Sequence, residues 1–277
     1  MSQRIYLTHF PKTNHKSKNG FTLVELSIVL VIIGLVIGGV LVGKDLIESA
    51  KIRAQISQLD EIETQMNTFR LKYNCLPGDC SSATDFFGTT VGTSTVVNGD
   101  NNGFILSQSQ GYIAGDCLSA RLGGEVTQLF LHLRLAGLSK FAATGLGGAI
   151  GSSTSVAVGV DIPTASVDDY GGVFVTCMRG SHAPDTLENG NSIAIGAGHD
   201  VPTTRSQYRL GYTGNPTFGI DHGISPLSAG DIDRKTDDGI GTSGRIITLW
   251  DCNGNSAISN YQSVATDCKI TFAKNIK

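Results

Sequence analysis

The chain has 277 residues, 35 of them glycine, and a formal net charge of −3. Glycine well above the usual ~7%, without a three-residue period, excludes a collagen-like rod and favours turns, loops and short strands. Residues 1–20 hold Arg4, Lys12, Lys16 and Lys18 and no acid, so the rest carries 17 bases against 24 acids, a net −7; a domain of that sign is a poor partner for nucleic-acid phosphates.

Residues 21–43 read FTLVELSIVLVIIGLVIGGVLVG, with Glu25 the one charge. As a helix this run would be about 34 Å long, enough for a hydrocarbon core of about 30 Å. Positive charge precedes it, which predicts a cytoplasmic N-terminus and an exported C-terminal domain. A secretory signal peptide fits less well: its small-residue cleavage site should follow the apolar run, and here Gly20 precedes it. Gly34 with Gly38, and Gly39 with Gly43, have GxxxG spacing that permits close helix packing. Ordinary membrane-helix glycine is the equal alternative.

The helical pattern continues over 44–74. Leu46, Ile47, Ile52, Ile56, Leu59, Ile62, Met66, Phe69 and Tyr73 recur mostly three or four apart. This predicts one helix from Phe21 to about Tyr73, apolar all round in its first half and striped in its second. Pro77 and Gly78 should end it.

Glu25 is out of place in an apolar run, where a carboxylate is expensive unless paired or protonated. A cut after Gly20 would give Phe21 a new amino group, cationic near neutral pH. In a stack of subunits, the Glu25 carboxylate of one chain could meet that amino group of the next and set axial register. Lys18-Asn19-Gly20-Phe21-Thr22-Leu23-Val24-Glu25-Leu26, with the apolar run after it, resembles the type IV pilin and type II secretion pseudopilin family. The resemblance implies cleavage between Gly20 and Phe21 by a membrane-embedded prepilin peptidase, methylation of the new amino terminus, and use of Glu25 in recognition and assembly. It implies as partners that peptidase, an inner-membrane assembly platform, and other pilin-like subunits in a homo- or hetero-filament. Tyr73, Leu76, Pro77, Gly78 and Asp79 form a YxxLPGD pattern similar to a large-domain bacterial subgroup. In that subgroup an Asn/Asp/Gly-rich patch comes next, like Asn98-Gly99-Asp100-Asn101-Asn102-Gly103 here.

Six cysteines stand at 75, 80, 117, 177, 252 and 268, none in a CxxC pair. In an exported domain disulfides are the natural reading, with reduced buried cysteines as the alternative. Cys75 with Cys80, and Cys252 with Cys268, would close short loops, leaving Cys117 with Cys177. Pro77-Gly78 is a turn, with Asp79 placed to cap the next element. Residues 121–138 predict a second helix, with Val126, Leu129, Phe130, Leu133 and Leu135 on its apolar face and Gly137 at its end. His132 among those leucines reads as a core or surface histidine. Strands are expected over 155–160, 172–178, 191–195, 245–249 and 269–272.

The acidic stretch 231–239 has two readings. Asp231, Asp233, Asp237 and Asp238 could give oxygen ligands to calcium, or form a solvated turn held by Asx hydrogen bonds. Its spacing departs from the EF-hand. The patch at 98–103 is a second, weaker metal candidate. His9, His15, His132, His182, His199 and His222 lie in no HExxH motif, and there is no GxSxG elbow, Walker loop or GxGxxG following a strand.

The expected fold is α+β and pilin-like: a long N-terminal helix packed on an antiparallel β-sheet, with extended glycine-rich, disulfide-braced loops. The expected organisation is a cytoplasmic leader over 1–20, a transmembrane and filament-core helix over 21–43, its amphipathic continuation over 44–74, and an extracytoplasmic globular domain over 75–277. The expected function is a structural prepilin of a type IV pilus or type II secretion pseudopilus, not an enzyme, with no cofactor beyond the calcium reading. It would be single-pass in the bacterial inner membrane, N-terminus in the cytoplasm and C-terminal domain in the periplasm, before assembly into a pilus or periplasmic pseudopilus. The alternative is a membrane-anchored binding or adhesion module that does not polymerise.

Overall fold

Helix α1 spans Leu23–Tyr73, in a computed structural model that describes residues 20–105, 124–145, 158–167, 171–178, 190–198, 220–222, 224–250, 261 and 271–275. The chain divides into two compact units, Met1–Ile47 and Glu48–Lys277. In the first, the apolar side chains from Phe21 to Val42 are exposed on every face of the helix, and a helix that is apolar all round belongs in an apolar surrounding. In the second, α1 buries Ile52, Gln55, Leu59, Ile62, Met66 and Phe69. Arg70 and Lys72 in the last turn complement the helix dipole. Asn74, at φ 55°, takes the left-handed conformation that stops the helix.

The stripe expected from periodicity is thus covered over 52–69, with Ile56 and Tyr73 packed at its edge. Leu46 and Ile47 do not join it and are exposed. Gln55 joins it unexpectedly. Its Oε1 accepts from the Ser166 amide at 2.7 Å, and its Nε2 donates to Gln58 Oε1 at 3.1 Å. A buried amide is tolerated when both ends are bonded.

Beyond α1 a short helix, α2 (Ala83–Phe87), leads to a two-stranded hairpin, β1 (Thr90–Val91) and β2 (Ser94–Thr95), in register Thr90↔Thr95. Helix α3 (Glu125–Leu135) lies inside the stretch expected to be helical and ends before Gly137. It is buried on nearly all sides, from Glu125 to Leu133.

Five further strands form one antiparallel sheet: β3 (Gly172–Met178), β4 (Gly190–Gly198), β5 (Ile220–His222), β6 (Ile246–Trp250) and β7 (Thr271–Asn275). The order is β3-β4-β7-β6, with β5 also on β4. β3 and β4 pair from Gly172↔Gly196 to Met178↔Gly190, and β6 pairs β7 with an irregularity between Thr248 and Trp250. Val173, Phe174 and Val175 are all fully buried, so β3 is covered on both faces and reads as a continuous apolar run. The α1 stripe, the α3 face, β3, Ile193 and Ile246 belong to one hydrophobic core. Each fully buried side chain of Leu or Phe size contributes about 1.5–3 kcal/mol.

Two expectations need correction. The described part of 155–160 is not a strand: Val158 makes one bridge to Ile162 across a turn through Gly159. Asp231 and Asp233 do not lie in a solvated turn. They lie on helix α4 (Pro226–Thr236), which begins with Pro226 and is capped by Ser225, whose Oγ accepts from the Ser228 amide at 3.1 Å.

Candidate processing site and acidic clusters

The start of α1 is defined by side chains. The carbonyl of Thr22 accepts the first helical bond, from the Leu26 amide at 3.2 Å, which makes Thr22 the N-cap. Its Oγ1 accepts from the Glu25 amide at 3.2 Å. Glu25 Oε2 in turn accepts from the Thr22 amide at 2.8 Å and from the Thr22 hydroxyl at 2.9 Å. This is a reciprocal capping box, with threonine at the N-cap and glutamate three residues on. Gly20, Phe21 and Thr22 lie outside the helix, and Phe21 is 91% exposed. Thr22 was not among the residues expected to matter, although Thr22-Leu23-Val24-Glu25 spells the box in the sequence.

The YxxLPGD segment and the 98–103 patch come together against α3. Cys75 and Cys80 are joined by a disulfide, 5.2 Å between Cα atoms. Between them, the Gly78 amide donates to Nδ1 of His132 on α3 at 2.9 Å. Gly78 has φ +89° and passes so close to α3 that a Cβ would fall 2.3 Å from the Glu125 carbonyl oxygen. Asp79 does not cap α2. Its Oδ1 accepts from the Asn102 amide at 3.1 Å and its Oδ2 from the Gly103 amide at 2.9 Å, while its carbonyl takes the Asn101 amide at 2.9 Å. The cap on α2 comes from Asn98, whose Oδ1 accepts from the Thr84 amide at 2.8 Å.

His132 is fully buried between Phe69 and Phe87, ring centroids 6.2 and 5.9 Å away. Its Nε2 has no hydrogen-bond partner among the described residues. Burial pulls its pKa down to about 4, against a smaller opposing contribution from the Val97 backbone. Burial pushes Asp79 up to about 6, offset in part by the Gly103 amide and reinforced by the adjacent Asp100.

One carboxylate oxygen from each of Asp79, Asp100 and Glu125 lies within 4.8 Å of the others, and the same holds for Asp233, Asp237 and Asp238. Either acidic group could take a divalent cation by the chemistry of its oxygens. In both groups the chain already bonds these carboxylates: in the first, Asp100 accepts from Asn102 and Glu125 from the Asp100 amide, beside the two bonds to Asp79. In the second, Asp233, fully buried, accepts from Tyr261 Oη at 2.8 Å and the Gly239 amide at 3.2 Å. Asp237 accepts the Arg245 and Ile246 amides, and Asp238 the Ile240 amide and Ser243 hydroxyl. Burial raises the Asp233 pKa, and the Ser243 and Ile240 bonds lower that of Asp238. Asp231 is not brought into this group; it pairs with Arg234 one turn on. Cys117, Cys252 and Cys268, with His182 and His199, lie outside the described residues, and Cys177 is described through its backbone pairing with Asn191 alone.

Residues 15–41 match the prokaryotic N-terminal methylation motif. No curated protein and no solved structure matches the chain. The N-terminal region therefore carries a prepilin-type motif, consistent with the pilin and pseudopilin superfamily. Prepilin-type motifs mark non-catalytic proteins, and this one supplies no catalytic group of its own. It coincides with one helix long and apolar enough to cross a membrane.

Proposed function

We propose that the chain is the precursor of a filament subunit of the type IV pilin or type II secretion pseudopilin class, of a large-domain kind. It inserts in a bacterial inner membrane with residues 1–20 in the cytoplasm and residues 75–277 outside. Prepilin peptidase cuts between Gly20 and Phe21, and the apolar helix over 21–43 then packs with those of other subunits on an assembly platform. The observation that carries this reading is the methylation motif over 15–41 set on the start of a helix whose apolar run over 21–42 is exposed on every face.

Two details of α1 support assembly over mere anchoring. Both bonds that the Glu25 carboxylate accepts from Thr22 fall on Oε2, which leaves Oε1 to suit the amino group of a neighbouring Phe21. A Cβ built on Gly34, Gly38, Gly39 or Gly43 would meet nothing within 4 Å. No described contact within this chain requires glycine there, while a close helix partner would.

The test is mass spectrometry of the membrane-extracted protein from cells that carry a prepilin peptidase. The expected N-terminus is a methylated Phe21. An intact N-terminus, with the protein extracted as a monomer, would replace this reading with that of a tethered binding or adhesion module.

A further inference from the structure

The helix boundary falls two residues beyond the bond to be cut. We propose that Thr22 is a positioning residue for processing: as N-cap it holds the start of α1 at Leu23 and keeps the Gly20–Phe21 peptide out of the helix. The inference rests on the reading of this chain as a cleaved precursor.

Hydrolysis breaks the bond between the Gly20 carbonyl carbon and the Phe21 nitrogen. Water supplies hydroxyl to the carbon and a proton to the nitrogen, leaving a carboxylate on Gly20 and an ammonium on Phe21. The Gly20 carbonyl oxygen must be free to gather negative charge against the enzyme's donors. In a helix that oxygen would instead accept the amide four residues on, from Val24, and the carbonyl would lie along the helix axis. An apolar helix in a bilayer has every reason to extend, because each added turn satisfies backbone groups that lipid cannot. Something must therefore stop it at its N-terminal end.

The stop in this chain is the Thr22 hydroxyl, which takes the Glu25 amide, backed by the Glu25 carboxylate on the Thr22 amide. Phe21, at the position that often packs back on the first turn of a helix, is instead 91% exposed. The scissile peptide is thus non-helical and open on its Phe21 side. Upstream of Thr22 the next residues of cap type are Gly20 and Asn19. If Thr22 lost its hydroxyl, a cap at either would draw Phe21 into the first turn of a longer helix and engage the Gly20 carbonyl with the Val24 amide.

The experiment compares Thr22→Val and Thr22→Ser in the full-length precursor, in detergent or vesicles, with purified prepilin peptidase. Losing an N-cap costs about 1 kcal/mol, so Thr22→Val should be cut about five- to tenfold more slowly. Thr22→Ser keeps the hydroxyl and should be cut at close to the wild-type rate. In the uncut proteins the Cα chemical shift of Phe21 should move toward helical values in Thr22→Val and stay non-helical in the other two. Equal cleavage of all three, or slow cleavage of Thr22→Val with no helical shift at Phe21, would overturn the inference and leave the cleavage reading standing. A wild-type chain not cut after Gly20 would remove the cleavage reading itself.

Discussion

At the scale of single residues, the buried His132 and Asp79 place opposite demands on pH. His132 must stay neutral for its Nδ1 to accept the Gly78 amide. Its pKa in the fold is about 4, below the ordinary 6.5. A depressed pKa contributes stability that is present above about 6.5 and is lost as pH falls toward 4. The full difference is worth about 3 kcal/mol. Asp79 runs the other way: at about 6 its pKa is raised from 3.8, so its contribution is full below 3.8 and lost as pH rises through 6. The two contributions nearly offset each other between pH 6.5 and 4, so this pair should leave thermal unfolding of the detergent-solubilised chain almost level over that window. His132→Gln should be less stable at pH 7 and should gain stability on acidification toward pH 4, because the Asp79 contribution is then unopposed. An unchanged slope would mean that His132 does not carry the opposing contribution.

At the scale of elements, the loop between α1 and α2 is an adapter that depends on a close approach. The disulfide from Cys75 to Cys80 closes it, Gly78 touches α3, and Asp79 gathers the amides of 101–103. Replacing both cysteines by serine should cost about 2 kcal/mol, the loop-closure value for so short a ring. Gly78→Ala should cost more than about 2 kcal/mol, because it adds left-handed strain to a collision with the Glu125 carbonyl. Chemical denaturation under oxidising conditions would rank the two, and a near-neutral Gly78→Ala would show that α3 can withdraw. Helix α4 relies on a similar approach. A Cβ on Gly230 would fall 2.9 Å from the Tyr261 ring, and it is Tyr261 that donates to Asp233.

At the scale of the whole molecule, each unit has its own logic. The core of the Glu48–Lys277 unit draws on the α1 stripe, α3 and the sheet. The apolar face of the other unit, from Phe21 to Val42, has no partner among the described residues. Assembly is where that face and Glu25 would act together. Glu25→Ala should therefore leave membrane insertion intact and sharply reduce incorporation into filaments, read as the ratio of sheared filament fraction to membrane fraction. Normal incorporation would remove the charge pair from the mechanism.

The membrane-length helix, the start motif and the covered stripe of α1 were legible in the sequence, because each depends on local order: an unbroken apolar run, residues at fixed offsets, a helical period. The helix around Leu129 and most strands of the sheet were legible for the same reason. Helix α4 was not. Its cap, Ser225 before Pro226, is spelled in the sequence, but Gly230 and four aspartates look like a loop until Tyr261 is seen to pack on the glycine and bond Asp233. Asp79 likewise reads as a helix cap until its carboxylate is seen holding residues 24 positions away. Such roles rest on contacts between distant parts of the chain, which local propensity does not encode and only the tertiary structure decided.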